Sequence, residues 1–495
     1  VTPFFFYFIG INFLKHKKKD LEKYNHILTD SHAFRKIIIN YLKTNDIRLS
    51  VKLNSKISLL KSFFSKYITI ITSFFFILSK IIICKLLSKK ELLKNKITLI
   101  DIYKFDDYYQ KDRYYGNIYR DLKKNDSKNI YFVPTIISLK INKIFNIYNY
   151  LIKGPEKYLF KENYLKFFDL FEIIKFHLNY KKVNFNLNYS EFNLKELLTE
   201  INDKDSKYYF VYETILTYIF IKNLNKNKVD IKCSIDWFEN QIIDKAWNLG
   251  FNKYYPNIII KGYRGLVPPN LYISQMYPTE FERQSKVLPK KIIVIGKGFV
   301  KEAGKYLDTN IIQTGPALRF RSLFTRQMNI KTDFYKILVI LPASYIISDV
   351  IISELRKIKF PQKSRVYIRY HPFTKQDVKF NNNFKKSETE FSKELVDTNL
   401  IICNFTSAAL EALAQNIDLI FFNPLSNLNN ISIPSAVSKK FYKISYDNID
   451  LQKNIIHFYN LKNKNLKKDS ENKIIDEYFI KPNKYNIAEL LEIEQ

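Results

Sequence analysis

Short runs of β-branched and aromatic residues recur along this chain at intervals that helices would fill, most regularly in its second half. From Asp230 the pattern predicts strand 231–238, a helix over about 240–249, strand 257–262, a loop with Pro268 and Pro269, strand 291–295 and a short strand at 311–314. A second series follows: strand 336–341, helix 348–358, strand 365–370, a helix ending near Val396, strand 399–403, helix 407–415 and strand 418–422. Strands separated by helices imply right-handed crossovers and parallel sheets. Two such series, joined near residues 315–335, predict an α/β fold of two doubly wound, Rossmann-type domains facing across a cleft. Ligands of such sheets bind beyond the carboxyl ends of the strands.

The first half is less regular. Residues 97–103 (ITLIDIY) and 129–134 (NIYFVP) read as strands, and the charged segment between them suits a crossover helix. A helical insertion is expected over about 151–225, where apolar residues recur at three-to-four spacing. The apolar run 3–14 (PFFFYFIGINFL) predicts a first core strand; it lacks the basic flank and cleavage site of a signal peptide. Residues 67–79 are uncharged but fall short of the roughly 20 needed to span a bilayer. The wider stretch 59–87, with Lys61, Lys66, Lys80 and Lys85, fits either a buried helix pair or a face lying in the headgroup boundary with its lysines snorkelling. The expected organisation is a first Rossmann-like domain over 1–320, a second over 321–470 and a helical tail over 471–495.

Composition narrows the function classes. The 495 residues carry 80 Lys+Arg against 48 Asp+Glu, a net charge of +32. Abundant Lys, Asn, Ile, Phe and Tyr beside only 10 Gly is also what an AT-rich coding sequence yields, so charge alone selects no partner. No RRM signature, helix-turn-helix pattern or arginine-rich tract appears, which argues against nucleic acid. Cys84, Cys233 and Cys403 lie far apart, with no CxxC pair, and the six histidines include no HExxH; neither a disulfide framework nor a metal site is supported, and a reducing cytoplasm fits. No cofactor is expected.

Candidate chemistry gathers at strand ends. His371 closes a strand before Pro372, which restrains the backbone and aims the imidazole past the sheet edge, toward a bound phosphate. Thr406 or Ser407 falls at a helix N-cap after strand LIIC, where hydroxyls and N–H groups meet anions. Glu239 lies between a strand and a helix, where partial burial would raise its pKa toward that of a general base for an acceptor hydroxyl. Asn240 is placed to accept from or donate to a ligand hydroxyl, and Arg264 and Arg319 to clamp a carboxylate or phosphate. The loop FDDYYQKDRYYG, with Asp106, Asp107, Asp112, Tyr114 and Tyr115, offers acids and sugar-stacking rings for an acceptor. Two matches are set aside: Asp203–Lys204–Asp205 lies in a polar turn among helices, and Gly296–Lys297–Gly298 with Gly304–Lys305 has phosphate-loop spacing one residue too long and Tyr306 in place of Ser/Thr.

RYHPF with NFTSAALEALAQNIDLIFFNP resembles the nucleotide-sugar-binding half of bacterial GT-B glycosyltransferases, distantly those akin to polysialyltransferases and Kdo transferases. KDRYYG, IDWFENQIIDKAWNLGF, IIIKGYRG, MYPTEFE, LPKKIIVIGKGF and QTGPALRF resemble surface-carbohydrate biosynthesis proteins, extending the likeness over about 97–425. Two departures are visible: the glycine-rich acceptor loop is reduced to Gly262 and Gly265, and no second His-Pro exists. The resemblance implies a GT-B-like fold with His371, Thr406, Ser407 and Glu411 on the donor side, to which Arg369 and Asn404 at the strand ends and Arg319 in the linker are added by position. In it His371 and the two hydroxyls contact phosphate, and Glu411 meets the ribose. Glu239 and His371 are the expected catalytic residues; Asn240, Arg264, Asp112 and Tyr115 make the acceptor side. The implied activity is metal-independent transfer from a nucleotide sugar, a CMP-sugar first, to a glycan or lipid-linked acceptor, in the cytoplasm and in peripheral contact with an anionic membrane. The alternatives are a nucleotide-sugar epimerase, which would need more acid/base residues than the sequence places in the cleft, and a non-catalytic basic protein binding membrane or RNA.

Overall fold

The computed structural model describes residues 2–16, 21, 24–53, 59–91, 93, 95–106, 109–110, 112–122, 126–138, 140–179, 186–205, 209–268, 278–305, 307–325, 333–371, 384–425, 431–463 and 473–493. Pro269, Tyr306, Pro372, Asp107 and the Met276–Tyr277 part of MYPTEFE lie outside them.

The chain opens with α1 (Thr2–His16), β1 (His26–Thr29), α2 (His32–Thr44) and β2 (Ser50–Leu53). The expected strand over 3–14 is therefore a helix. An apolar run without polar alternation reads either way, and here Ile11 and Leu14 are buried against α2 and the later helix α6 (Lys195–Asp205) in a small separate core. Residues 59–87 form one uninterrupted helix, α3 (Leu59–Leu87), rather than a pair. Lys80 does not break it because its ammonium is buried against Glu213, 2.6 Å away.

The first large sheet begins with β3 (Ile97–Phe105) and β4 (Ile130–Ile137), parallel neighbours. Among the described residues their connection holds only 3₁₀ turns, Ile118–Asp121 and Asp126–Asn129, where a crossover helix was expected. Next come α4 (Ile141–Lys153), α5 (Phe171–Asn179), the small hairpin β5 (Asn188–Tyr189) and β6 (Phe192–Asn193), α6 and α7 (Tyr209–Lys226). The alternation expected from Asp230 then appears: β7 (Ile231–Trp237), α8 (Ile242–Tyr254), β8 (Ile259–Arg264), β9 (Lys291–Val294) and β10 (Ile312–Thr314). The sheet order is β10-β9-β8-β7-β3-β4, with every pairing parallel.

The second sheet has order β13-β12-β11-β14-β15-β16 and is also wholly parallel. Its strands are β11 (Tyr335–Ile340), β12 (Ser364–Arg369), β13 (Phe384–Lys386), β14 (Leu400–Cys403), β15 (Asp418–Phe422) and β16 (Tyr442–Ser445). β11 and β14 are buried at every residue, as central parallel strands covered on both faces should be. Two doubly wound sheets thus make up the α/β fold that the sequence predicts.

The last described segment returns to the first sheet. Ile480 N–H donates to Ile295 O and Ala317 N–H to Ile480 O, each at 2.8 Å, and Lys261 Nζ meets Glu492 at 2.6 Å. This contact explains Gly296 and Gly298: a Cβ on either would lie 2.2 Å from Tyr478 atoms, so the close approach admits only glycine. One continuous core runs from Ile235 and Phe320 through Tyr478 to Cys403 and Phe421, joining the two sheets.

Candidate functional site

The carboxyl ends of β3, β4 and β7 open onto a cavity of about 330 Å³. Its walls come from Tyr103 and Phe105, Arg113 and Tyr114, Phe210 at the start of α7, Trp237, Glu239, Gln241 and Asp244, closed by Arg319 from the inter-sheet segment and His371 after β12.

The turn after β7 presents Glu239. Its Oε1 accepts from Trp237 Nε1 at 2.7 Å and its Oε2 from Gln241 Nε2 at 2.8 Å, which fixes the side chain at the cavity wall. Asn240 takes the left-handed conformation (φ 57°) that lets the chain reverse here, a geometry asparagine tolerates well. Its Nδ2 donates to Glu282 of the short helix Glu280–Gln284, 3.4 Å away, so Asn240 braces the turn. Asp244, in the first turn of α8, accepts the N–H groups of Glu239 (2.9 Å) and Gln241 (3.0 Å) on Oδ2 and the Tyr103 hydroxyl (3.0 Å) on Oδ1.

Burial concentrates acid/base potential behind this wall. Burial, against the Gln241 N–H and reinforced by Glu239 and Asp101, pushes the Asp244 carboxyl up to about 7. Asp101 is pushed up to about 6 by burial, opposed by Lys161. Asp236, fully buried beside Asp244, is raised well above the ordinary range, and Asn248 Nδ2 donates to it at 2.9 Å. Burial, with the charges of Asp244 and Asp101, likewise raises the Tyr103 hydroxyl.

The opposite side is cationic. Burial and then the charges of Arg113 and Arg319 lower the His371 pKa, favouring neutral imidazole. Glu411, on the helix Ala408–Ala414, is pushed up to about 7 by burial, and Arg319 opposes that rise. Arg113, Arg319, His371 and Glu411 therefore share one electrostatic neighbourhood between the sheets.

The expected site residues separate into two groups. Glu239, His371 and Arg319 line the cavity. Asp112 and Tyr115 do not: Asp112 accepts the N–H groups of Tyr114, Tyr115 and Asn117, each at 2.9 Å, and shapes the loop. Tyr115 is buried, donates to Asp101 O at 3.0 Å and stacks on Tyr263. Their neighbours Arg113 and Tyr114 face the cavity instead.

Arg264 is buried at the end of β8, outside the cavity lining. Beyond it a Cβ on Gly265 would lie 2.5 Å from the Trp237 ring, so this glycine serves packing. The Arg369 guanidinium binds Thr389 O (2.8 Å) and Glu394 (3.2 Å), bracing its own sheet. Asn404 is buried and donates to Phe422 O and Asn423 Oδ1. Thr406 Oγ1 accepts the Ala408 N–H at 3.3 Å, while Ser407, at the N-cap in right-handed helical conformation, makes no capping bond.

Of the cavity residues, sequence reasoning named Tyr114 in its acid and aromatic loop but missed Asp244, Tyr103 and Arg113. The Gln241-x-x-Asp244 spacing of a capping box, present in the structure, was the available signal for Asp244.

No protein-family model matches this chain, and no curated protein matches it. Similar solved structures include the UDP-GlcNAc 2-epimerase from Neisseria meningitidis bound to UDP-GlcNAc, at 11% identity over 74% of this chain and 93% of that one, TM-score 0.42. The wall teichoic acid polymerase TagF is 11% identical over 87% of this chain and 96% of that one, TM-score 0.43. The apo lipopolysaccharide outer core galactosyltransferase WaaB is 9% identical over 74% and 91%, TM-score 0.37.

Proposed function

We propose that this chain is a nucleotide-sugar-dependent glycosyltransferase of surface-polysaccharide synthesis, acting on a glycan or lipid-linked acceptor. The observation that carries the reading is the convergence of Arg113, Arg319 and His371 with Glu239 on one cavity at the strand ends. Two guanidiniums suit a diphosphate or monophosphate leaving group, whose growing charge they neutralise without a metal ion. A neutral His371 beside them donates a hydrogen bond to a phosphate oxygen without adding to the charge repulsion. Glu239, held by Trp237 and Gln241, is the general base that takes the acceptor hydroxyl proton; Tyr103, Tyr114 and Trp237 supply the apolar wall for a sugar ring.

In this reading the second sheet carries the donor and the first the acceptor. The distant likeness of RYHPF and NFTSAAL to polysialyltransferases and Kdo transferases makes a CMP-sugar the first donor to try. The buried thiols of Cys84, Cys233 and Cys403 suit a reducing cytoplasm.

The test is release of nucleotide from CMP-, UDP- and GDP-sugars in the presence of oligosaccharide and lipid-linked acceptors. One donor class should turn over, and Glu239→Gln should slow it by about 100-fold or more with donor binding retained. Absence of turnover with every donor, together with absence of binding, overturns the proposal. A second reading, isomerisation of the nucleotide sugar itself, is favoured by Asp244, which adds a carboxyl with pKa near neutrality to the cavity. It requires that the sugar be altered with no acceptor present.

A further inference from the structure

Helix α3 is apolar on two opposite faces, and only one of them meets the protein. Ile70, Ser73, Ile77, Lys80, Ile81 and Cys84 are buried on the inner face. Ile68, Ile71, Phe75, Ile82 and Leu86 lie within about 60° of one another on the outer face at 3.6 residues per turn. All five are 50 to 81% exposed. The stripe is about 27 Å long at 1.5 Å per residue. A globular helix should place polar residues on that side.

The stripe does not stand alone. On one flank, Phe74 packs on Phe167 and Phe171 (ring centroids 6.5 and 6.0 Å), and Phe168 beside them is 78% exposed. On the other, α4 packs along α3 and exposes Ile141, Phe145 and Ile152. Exposed apolar side chains thus recur on α3 and on the two elements packed beside it.

Helix rotation cannot hide it. Lys80 binds Glu213 at 2.6 Å inside the fold, with Glu162 at 3.8 Å. Turning α3 to bury the stripe would draw that ammonium out and leave two buried carboxylates without their cation. The same pair decides between spanning and lying flat. The segment Ile68–Leu87 is long and apolar enough to cross a bilayer, but its inner face belongs to the core shared with β3 and α7.

Charge selects the occupant. Neither α3 nor α4 contains a carboxylate, and both contain lysines. Lys140, Lys153 and Lys166 are exposed at the two ends of α4 and next to Phe167, while Lys85, also exposed, donates to Leu165 O at 2.8 Å. Near it, Glu172 is offset by Lys175 at 3.9 Å. An apolar band rimmed by cations matches the acyl boundary and anionic headgroups of a bilayer.

We propose that this face docks on an anionic lipid bilayer, with α3 lying in the plane of the interface. The proposal is independent of the donor chemistry. It is tested by co-sedimentation of the full chain with vesicles of phosphatidylcholine alone or mixed with phosphatidylglycerol. The wild type should bind the mixed vesicles, more weakly as salt rises. Ile71→Glu/Phe75→Glu should lower binding by about tenfold or more, while Ile449→Glu, a change of the same kind at an exposed site near the second sheet, should not. Phe75→Trp, which keeps the face apolar, should shift its emission to the blue on mixed vesicles and not in buffer. Binding equal for wild type and Ile71→Glu/Phe75→Glu, or an unshifted Phe75→Trp, overturns the proposal. So does a dimer that these glutamates dissociate without altering vesicle binding, since a second copy is then the occupant. Nucleotide binding in solution reports separately on the cleft and should be the same in all these variants.

Discussion

Asp244 fixes Glu239 through the main chain: its Oδ2 accepts the Glu239 N–H at 2.9 Å and the Gln241 N–H at 3.0 Å. One buried carboxylate therefore sets the turn on which the candidate base is presented. Tyr103 ties that carboxylate to β3 from the other side. The candidate base and the acid that holds it in place are thus different residues, five positions apart.

Removing the Asp244 carboxylate should cost both stability and activity. Asp244→Ala leaves two N–H groups and the Tyr103 hydroxyl without their acceptor, a loss of about 2–4 kcal/mol, measurable by chemical denaturation. Asp244→Asn, which keeps one acceptor oxygen, should be the milder change. At full folding it should still lower the turnover rate with little effect on donor affinity, because the displaced group is Glu239 and not the cation cluster.

Glu411 should make stability depend on pH in a recognisable sense. Its carboxyl titrates near 7 in the fold against 4.5 ordinarily, so between those values the folded chain holds a proton that the unfolded chain has lost. Its contribution is thus fully present in acid and is lost as pH rises through about 7. His371 works oppositely, since its lowered pKa removes stability as pH falls below 6.5. The difference between Glu411→Gln and wild type isolates the first group. The variant should match wild type below about pH 4.5, gain relative stability as pH rises from 4.5 to about 7, and keep that margin above it, with melting temperature as the readout.

The Lys80–Glu213 pair offers a contrast between breaking and replacing a buried ion pair. Lys80→Met should destabilise by about 3–5 kcal/mol, since Glu213 and Glu162 lose their cation. Lys80→Met with Glu213→Leu and Glu162→Gln should recover much of that loss. Urea unfolding of the single and triple variants measures both.

Much of the fold was legible because parallel strands buried on both faces are short continuous apolar runs bounded by turn residues. KILVIL, RVYIRY and LIIC stand out without any tertiary information, and so does the placement of Glu239 and His371 at strand ends. What was not legible depended on partners distant in sequence. Lys80 reads as a break in an apolar run until Glu213, 133 residues on, neutralises it. Asp244 reads as an ordinary first-turn acid until Tyr103, 141 residues earlier, closes over it. In the 112–117 loop no period assigns sides, and the inward pair proved to be Arg113 and Tyr114 because Asp112 is turned back onto its own backbone.

The most direct test of the cleft as a nucleotide-sugar site is calorimetric titration of the full chain with CMP, UDP, GDP and ADP. Wild type is compared with Arg113→Ala/Arg319→Ala and with His371→Ala, each variant checked for an unchanged fold. The account expects one nucleotide to bind, with affinity lowered about tenfold or more in the double variant and less in His371→Ala. If no nucleotide binds, or if the favoured one binds equally well without both arginines, the cation cluster between the sheets is not the phosphate site and the glycosyltransferase reading falls with it.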